Sequence, residues 1–204
     1  MPQGRRALAP GALEGRRASR GARVALAAAR TPLEELEVGQ SLTGFVGRHM
    51  RESAVFVNVG AERDGMLEVG EMQDGFPVNG ITLKGGDKVS VRVLSKDDGK
   101  LYLTMRSGDL ARPPRQKGGP RGEPTALAAV PPAQWLEGEV FSITSWGVFV
   151  QLDVPGADEQ VTALLHKNEF TGDFFNEVVR GGKVRVRVRN VDEQKGAFLT
   201  MKDP

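Results

Sequence analysis

Trp146 and Phe149 stand on either side of a glycine in the stretch TSWGVFVQL, residues 144–152, which otherwise reads as a β-strand. Strand parity puts Val148, Val150 and Leu152 on one face and Phe149 with Gln151 on the other, so the Phe149 ring is expected to face solvent. A bulge at Gly147 would add one unpaired residue and bring Trp146 round to that same face. Two rings beside a groove form a platform on which flat π-systems stack, and a stacked nucleobase contributes about 1–3 kcal/mol. The plainer role for each ring is to cover a neighbouring loop.

Little else in the chain has reactive chemistry. The sequence holds no cysteine, which excludes disulfides, thiolate zinc sites, iron–sulfur clusters and a cysteine nucleophile together. Its histidines are His49 and His166, and no local spacing supplies the carboxylates that would complete a metal centre around either. The acids occur as scattered pairs such as Asp97 with Asp98, which read as turn residues. No convergent set of nucleophile, base and oxyanion donors is visible, so a non-enzymatic protein with no cofactor and no metal is expected, and no small-molecule substrate. No apolar run approaches the length of a spanning helix, so no membrane partner is expected either.

The elements that must carry these residues are duplicated. LTGFV, AVFVNV, GMLEVGEM, GGDKVSVRVL and LYLTMR recur in order as LEGEV, GVFVQL, ALLHKNEF, GGKVRVRVRNVD and FLTMK. Each copy has five strand-like runs, and two copies are too few for a solenoid, so two small β domains are expected. Val89, Val91 and Val93 alternate with polar residues, as do Val184, Val186 and Val188, which gives each sheet one apolar face. Gly44, Gly60, Gly138 and Gly147 fall where a small closed sheet needs bends or bulges. Five short antiparallel strands in about 70 residues without disulfides point to an all-β fold of two barrels of the oligonucleotide-binding (OB) type.

The boundaries follow from composition. Residues 33–106 form the first barrel and 134–204 the second. Residues 107–133, with Pro113, Pro114, Pro120, Pro124, Pro131 and Pro132 and the patch RQKGGPRGEP, read as a flexible Pro/Gly-rich linker. Residues 1–32 read as a basic, disordered Arg/Ala-rich segment. The net charge of +2 conceals a strong asymmetry, since residues 1–30 hold seven arginines and one acid, leaving the remainder acidic. Such a segment has the marks of an organelle transit peptide, or of a basic tail that touches ribosomal or messenger RNA phosphates.

Both repeats resemble the S1 RNA-binding domain, an OB-type barrel. The second is the closer, with Gly138 and Val140, then WGVFVQL, ALLHKNEF, GGKVRVRV, Asp192 and FLTMK in order. The resemblance implies that Trp146, Phe149, His166 and Asp192 line an RNA-binding face. Phe56 repeats Phe149 in the first copy, whereas Ser53 and Ala54 replace Trp146 and Gly147, and Glu68 replaces His166. A ring lost and a carboxylate gained imply weaker RNA contact there, with protein docking as the other use of that barrel. Arg185, Arg187 and Arg189 share one strand face, which is either solvated or able to track a phosphate backbone. The expected partners are single-stranded messenger or ribosomal RNA and the small ribosomal subunit. With a transit peptide, the chain resembles plastid ribosomal proteins with tandem S1 domains, which implies the chloroplast (plastid stroma); the mitochondrion and the cytoplasm are the alternative locations.

Overall fold

The alternation of valines along the two longest strands becomes burial. Val89, Val91 and Val93 close the core of the first unit and Val184, Val186 and Val188 that of the second, each less than a tenth exposed. The computed structural model describes residues 30–51, 53–114, 122–192 and 194–204. In the first unit β1 (Ser41–Met50), β2 (Ala54–Asn58), β3 (Gly65–Glu68), β4 (Lys88–Asp97) and β5 (Lys100–Thr104) close into a barrel in the order β1-β2-β3-β5-β4. The second repeats this with β6 (Trp135–Ile143), β7 (Gly147–Leu152), β8 (Val161–His166), β9 (Lys183–Asp192) and β10 (Gly196–Thr200). The expected pair of OB-type barrels is therefore present.

The strands are not antiparallel throughout. β3 runs parallel to β5, and β8 parallel to β10. A closed ring with an odd number of strands cannot alternate direction all the way round, so one neighbouring pair has to be parallel. The long connections from β3 to β4 and from β8 to β9 bring the last strands into that place. The second of these holds a single helical turn, α1 (Phe174–Glu177).

Glycine is needed where the first strand of each barrel lies against two neighbours at once. A β-carbon at Gly44 would sit 2.6 Å from the Asn58 carbonyl oxygen, and one at Gly138 would sit 2.5 Å from Val150 Cγ1. Neither contact is tolerable without backbone movement. The bulge expected at Gly147 is found elsewhere: Gly147 pairs regularly with His166, and the register shifts in β6, between Val140 and Ser142. Gly147 instead allows β8 to come close, since its β-carbon would lie 2.5 Å from the Leu165 carbonyl oxygen.

Both repeats also share polar locks that the sequence reading did not single out. Glu71 accepts the Thr104 hydroxyl at 2.7 Å and takes the Met105 N–H on its carbonyl, while Glu169 accepts the Thr200 hydroxyl at 2.7 Å and the Met201 N–H on its own. The signal was available, because an acid follows the third strand and LTM ends the fifth in each copy. Glu71 is buried and also holds Arg112 at 2.9 Å.

The ends of the segment expected to be a linker are packed. Pro124–Ala129 forms a 3₁₀ turn that buries Leu127 completely in the second barrel, and Arg112 is drawn to Glu71 of the first. An apolar side chain at Leu127 and a cation at Arg112 outweigh the proline-rich composition locally. Residues 115–121 lie outside the described residues. So does the expected disordered segment or transit peptide up to residue 29, although Thr31 already bridges to Ala61.

Candidate nucleic-acid interface

Trp146 reaches the outer face through a tight turn. The Thr144 N–H and hydroxyl both donate to the Gly147 carbonyl, at 2.9 and 2.8 Å, and the Lys167 N–H donates to the Trp146 carbonyl at 3.1 Å. The ring is thereby set immediately before β7 and 37% exposed. Phe149 follows on the outward parity of β7, half-buried, with its ring centroid 5.5 Å from that of Trp146 and the planes at 85°. Such an edge-to-face pair stabilises both rings while leaving ring surface exposed to a ligand.

His166 stands beside them, opposite Gly147 in the register. Its Nδ1 accepts the Asn168 N–H at 3.2 Å, so in the neutral ring Nε2 carries the proton and is available as a donor. Asp192 ends β9, and its Oδ1 accepts the N–H groups of Gln194 and Lys195, each at 2.9 Å. Those backbone donors hold its carboxyl below the usual aspartate value. The contacts seen at Asp192 are those of a turn-fixing residue.

The arginine row is not a uniform solvated face. Arg187 is buried and donates to the carbonyls of Pro132 and Lys202, and together with Arg185 it packs on the ring of Trp135. Arg92 donates to the carbonyls of Arg106 and Gly108, the same task in the first barrel. Arg187 therefore ties down the chain that leaves the fifth strand, because a buried guanidinium needs carbonyl partners. Arg189 is exposed and paired with Glu169 at 3.1 Å. Gln151, expected outside with Phe149, is buried as well.

On the first barrel the register confirms the equivalences: Ala54 faces Glu68 as Gly147 faces His166, and Phe56 faces Met66 as Phe149 faces Leu164. Phe56 has not been left bare. The Arg48 guanidinium lies 4.6 Å above its ring, and the two line a hollow of about 550 Å³ that also includes Arg30, Arg63 and Lys100 along with Glu62 and Asp64. Its charges are mixed, unlike the aromatic face of the second barrel.

Residues 130–202 match the family model of the S1 RNA binding domain. The second barrel is an S1 domain. The match, with the aromatic pair on β7, supports an RNA-binding role. The chain is also 30% identical over 203 residues to the chloroplastic polyprotein of EF-Ts from Oryza sativa, in both the indica and the japonica subspecies. That similarity takes in 83% of this chain but spans only 17% of the length of those relatives. Among solved structures, GSP13 from Bacillus subtilis is 33% identical, with 45% of this chain and 69% of that one covered and a TM-score of 0.33. The alpha subunit of aIF2 from Pyrococcus abyssi is 23% identical, covering 35% and 29% of the respective chains at a TM-score of 0.32.

Among the described residues no group of three or more His, Asp or Glu side chains is placed to hold a metal ion. No helix among them is long and apolar enough to cross a membrane.

Proposed function

We propose that this chain is a non-catalytic RNA-binding protein of the translation apparatus that takes single-stranded messenger or ribosomal RNA mainly through its second barrel. The observation that carries this is the Trp146–Phe149 pair, two rings on the outer face of an S1 barrel with the His166 donor alongside. Bases would stack on the rings, and His166 Nε2 would donate to a phosphate or a base edge. Stacking needs no particular base, so weak sequence preference is expected. Fluorescence anisotropy with a labelled single-stranded oligoribonucleotide tests the assignment. Phe149→Ala should weaken binding about 5-fold to 150-fold, the equivalent of about 1–3 kcal/mol for a lost stacked base; unchanged affinity in the variant, or no binding by the wild type at moderate salt, would remove it.

The plastid setting and the small ribosomal subunit as partner belong to the same proposal, and similarity to the chloroplastic rice proteins supports them. Fusing residues 1–30 to a fluorescent protein tests the first: plastid signal is expected, and diffuse cytosolic signal would overturn it. Co-sedimentation with small ribosomal subunits tests the second.

A scaffold or ribosome-associated factor in which both barrels mainly dock on protein, with RNA incidental, is the other reading. It is favoured by the exposed Phe45 and Val38, 55% and 58% accessible on a barrel that has lost the equivalents of Trp146 and His166. Protein partners that persist after nuclease treatment and cross-linking would support it.

A further inference from the structure

The two barrels are not independent beads. The connection from β3 to β4 sends Phe76 into the second barrel, where it is 3% exposed and meets Phe170 and Phe175 edge to face at 5.2 and 5.8 Å. The Phe76 N–H donates to the Phe175 carbonyl at 2.6 Å. At Gly70 a β-carbon would lie 2.9 Å from Ile143 Cβ, and at Gly80 one would lie 3.2 Å from Ser145 Cβ, so backbone of the first barrel lies directly against the second. This apposition fixes where the β1–β2 turn of one barrel stands relative to the aromatic face of the other.

Between them is a cleft of about 530 Å³. His49 and Arg51 line it from the first barrel, Trp146 and Lys167 from the second, and Val78 and Asn79 from the connection that carries Phe76. Trp146 is thus a shared wall: it pairs with Phe149 and also borders the cleft. No described residue lining the cleft is acidic, on a chain whose residues after position 30 are net acidic. Arg51 is exposed and has φ of +49°, a left-handed conformation that Gly or Asn enters far more readily than arginine. Turn chemistry does not call for arginine at that position, and residues held in this region often mark functional sites.

We propose that this cleft is a composite RNA-backbone site, in which Arg51 of the first barrel and Lys167 of the second bind phosphates of the strand whose bases stack on Trp146 and Phe149. His49 adds a further donor on the Arg51 side. The inference rests on the RNA-binding reading above and extends it: the first barrel, whose own face has lost a ring, supplies one wall of the second barrel's site. A nucleic acid is the occupant that fits, because a pair of cations from separate domains flanks an aromatic ring that continues a stacking platform.

The test uses the full chain and a labelled oligouridine of about 12 nucleotides, a length within the range of OB-fold sites. Affinity is measured by anisotropy across about 50–200 mM salt, because each phosphate contact to a single strand contributes about 0.7 to the slope of log K against log salt. Arg51→Ala and Lys167→Ala are each expected to flatten that slope by about 0.7, their combination by about 1.4, and Arg51→Lys to restore it. Phe149→Ala should lower affinity and leave the slope unchanged. If wild type binds and Phe149→Ala weakens it while Arg51→Ala changes neither affinity nor slope, the composite cleft is wrong and the RNA-binding reading survives. If wild type does not bind at all, both fall. Circular dichroism melts of the surface variants matching wild type would show that the changes are not those of misfolding.

Discussion

At the scale of single residues, the aromatic pair is set by one turn and one strand parity. Phe149 faces outward because β7 alternates, whereas Trp146 depends on the Thr144–Gly147 turn and on the close approach of His166. Thr144→Ala should therefore weaken RNA binding more than it lowers stability, since it removes a single hydroxyl hydrogen bond worth about 1 kcal/mol but loosens the ring it positions; anisotropy and thermal melts on the same variant separate the two. Asp192 belongs to a different category of residue. Its carboxyl is held low by the Lys195 and Gln194 N–H groups, so the stabilisation it contributes is present above the ordinary carboxylate pKa and disappears as pH falls through its lower folded value. Asp192→Asn should accordingly flatten the acid limb of the stability profile below about pH 4, and an NMR titration of wild type should place the Asp192 midpoint under the usual value of about 3.9.

The strands and their connections impose the next constraints. Gly138 lies where β6 crosses between β7 and β9, and an added β-carbon would meet Val150 Cγ1, Leu152 Cδ2 and the Gln151 carbonyl oxygen all within 3 Å. Gly138→Ala should destabilise the second barrel by about 1–3 kcal/mol through overpacking, read as a lower denaturation midpoint. Much of this level was legible in the sequence. The valine alternation, the ordered runs and the doubled glycines at Gly44 and Gly138 are local patterns, and local patterns are what a strand expresses directly. The site of the bulge was not legible, because an extra residue can be absorbed by either strand of a pair and its cost depends on the partner. Nor was the burial of Arg187: its alternation with valine is that of an outward residue, and only the return of the chain past Pro132 and Lys202 covers it. The repeated locks of Glu71 with Thr104 and Glu169 with Thr200 were hidden because their partners lie about thirty residues apart in sequence.

For the molecule as a whole, the two barrels are joined by side-chain packing as well as by the chain between them. Phe76 belongs to the first barrel by sequence and to the second by burial. Phe76→Ala should cost about 3–5 kcal/mol of interface packing, as for a large buried aromatic. Its expected signature is two separate unfolding transitions where wild type shows a coupled one, with NMR relaxation reporting faster and more independent tumbling of each half. The sequence by itself determined that there are two barrels, which runs form their strands, and that Phe149 and Phe56 face outward, because period-two patterning and internal repetition are properties of neighbouring residues. Tertiary structure alone decided how the barrels meet, that one strand pair in each must be parallel, and that Arg51, Trp146 and Lys167 border one cleft. Those depend on ring closure and on contacts between residues far apart in the chain, which no local pattern encodes.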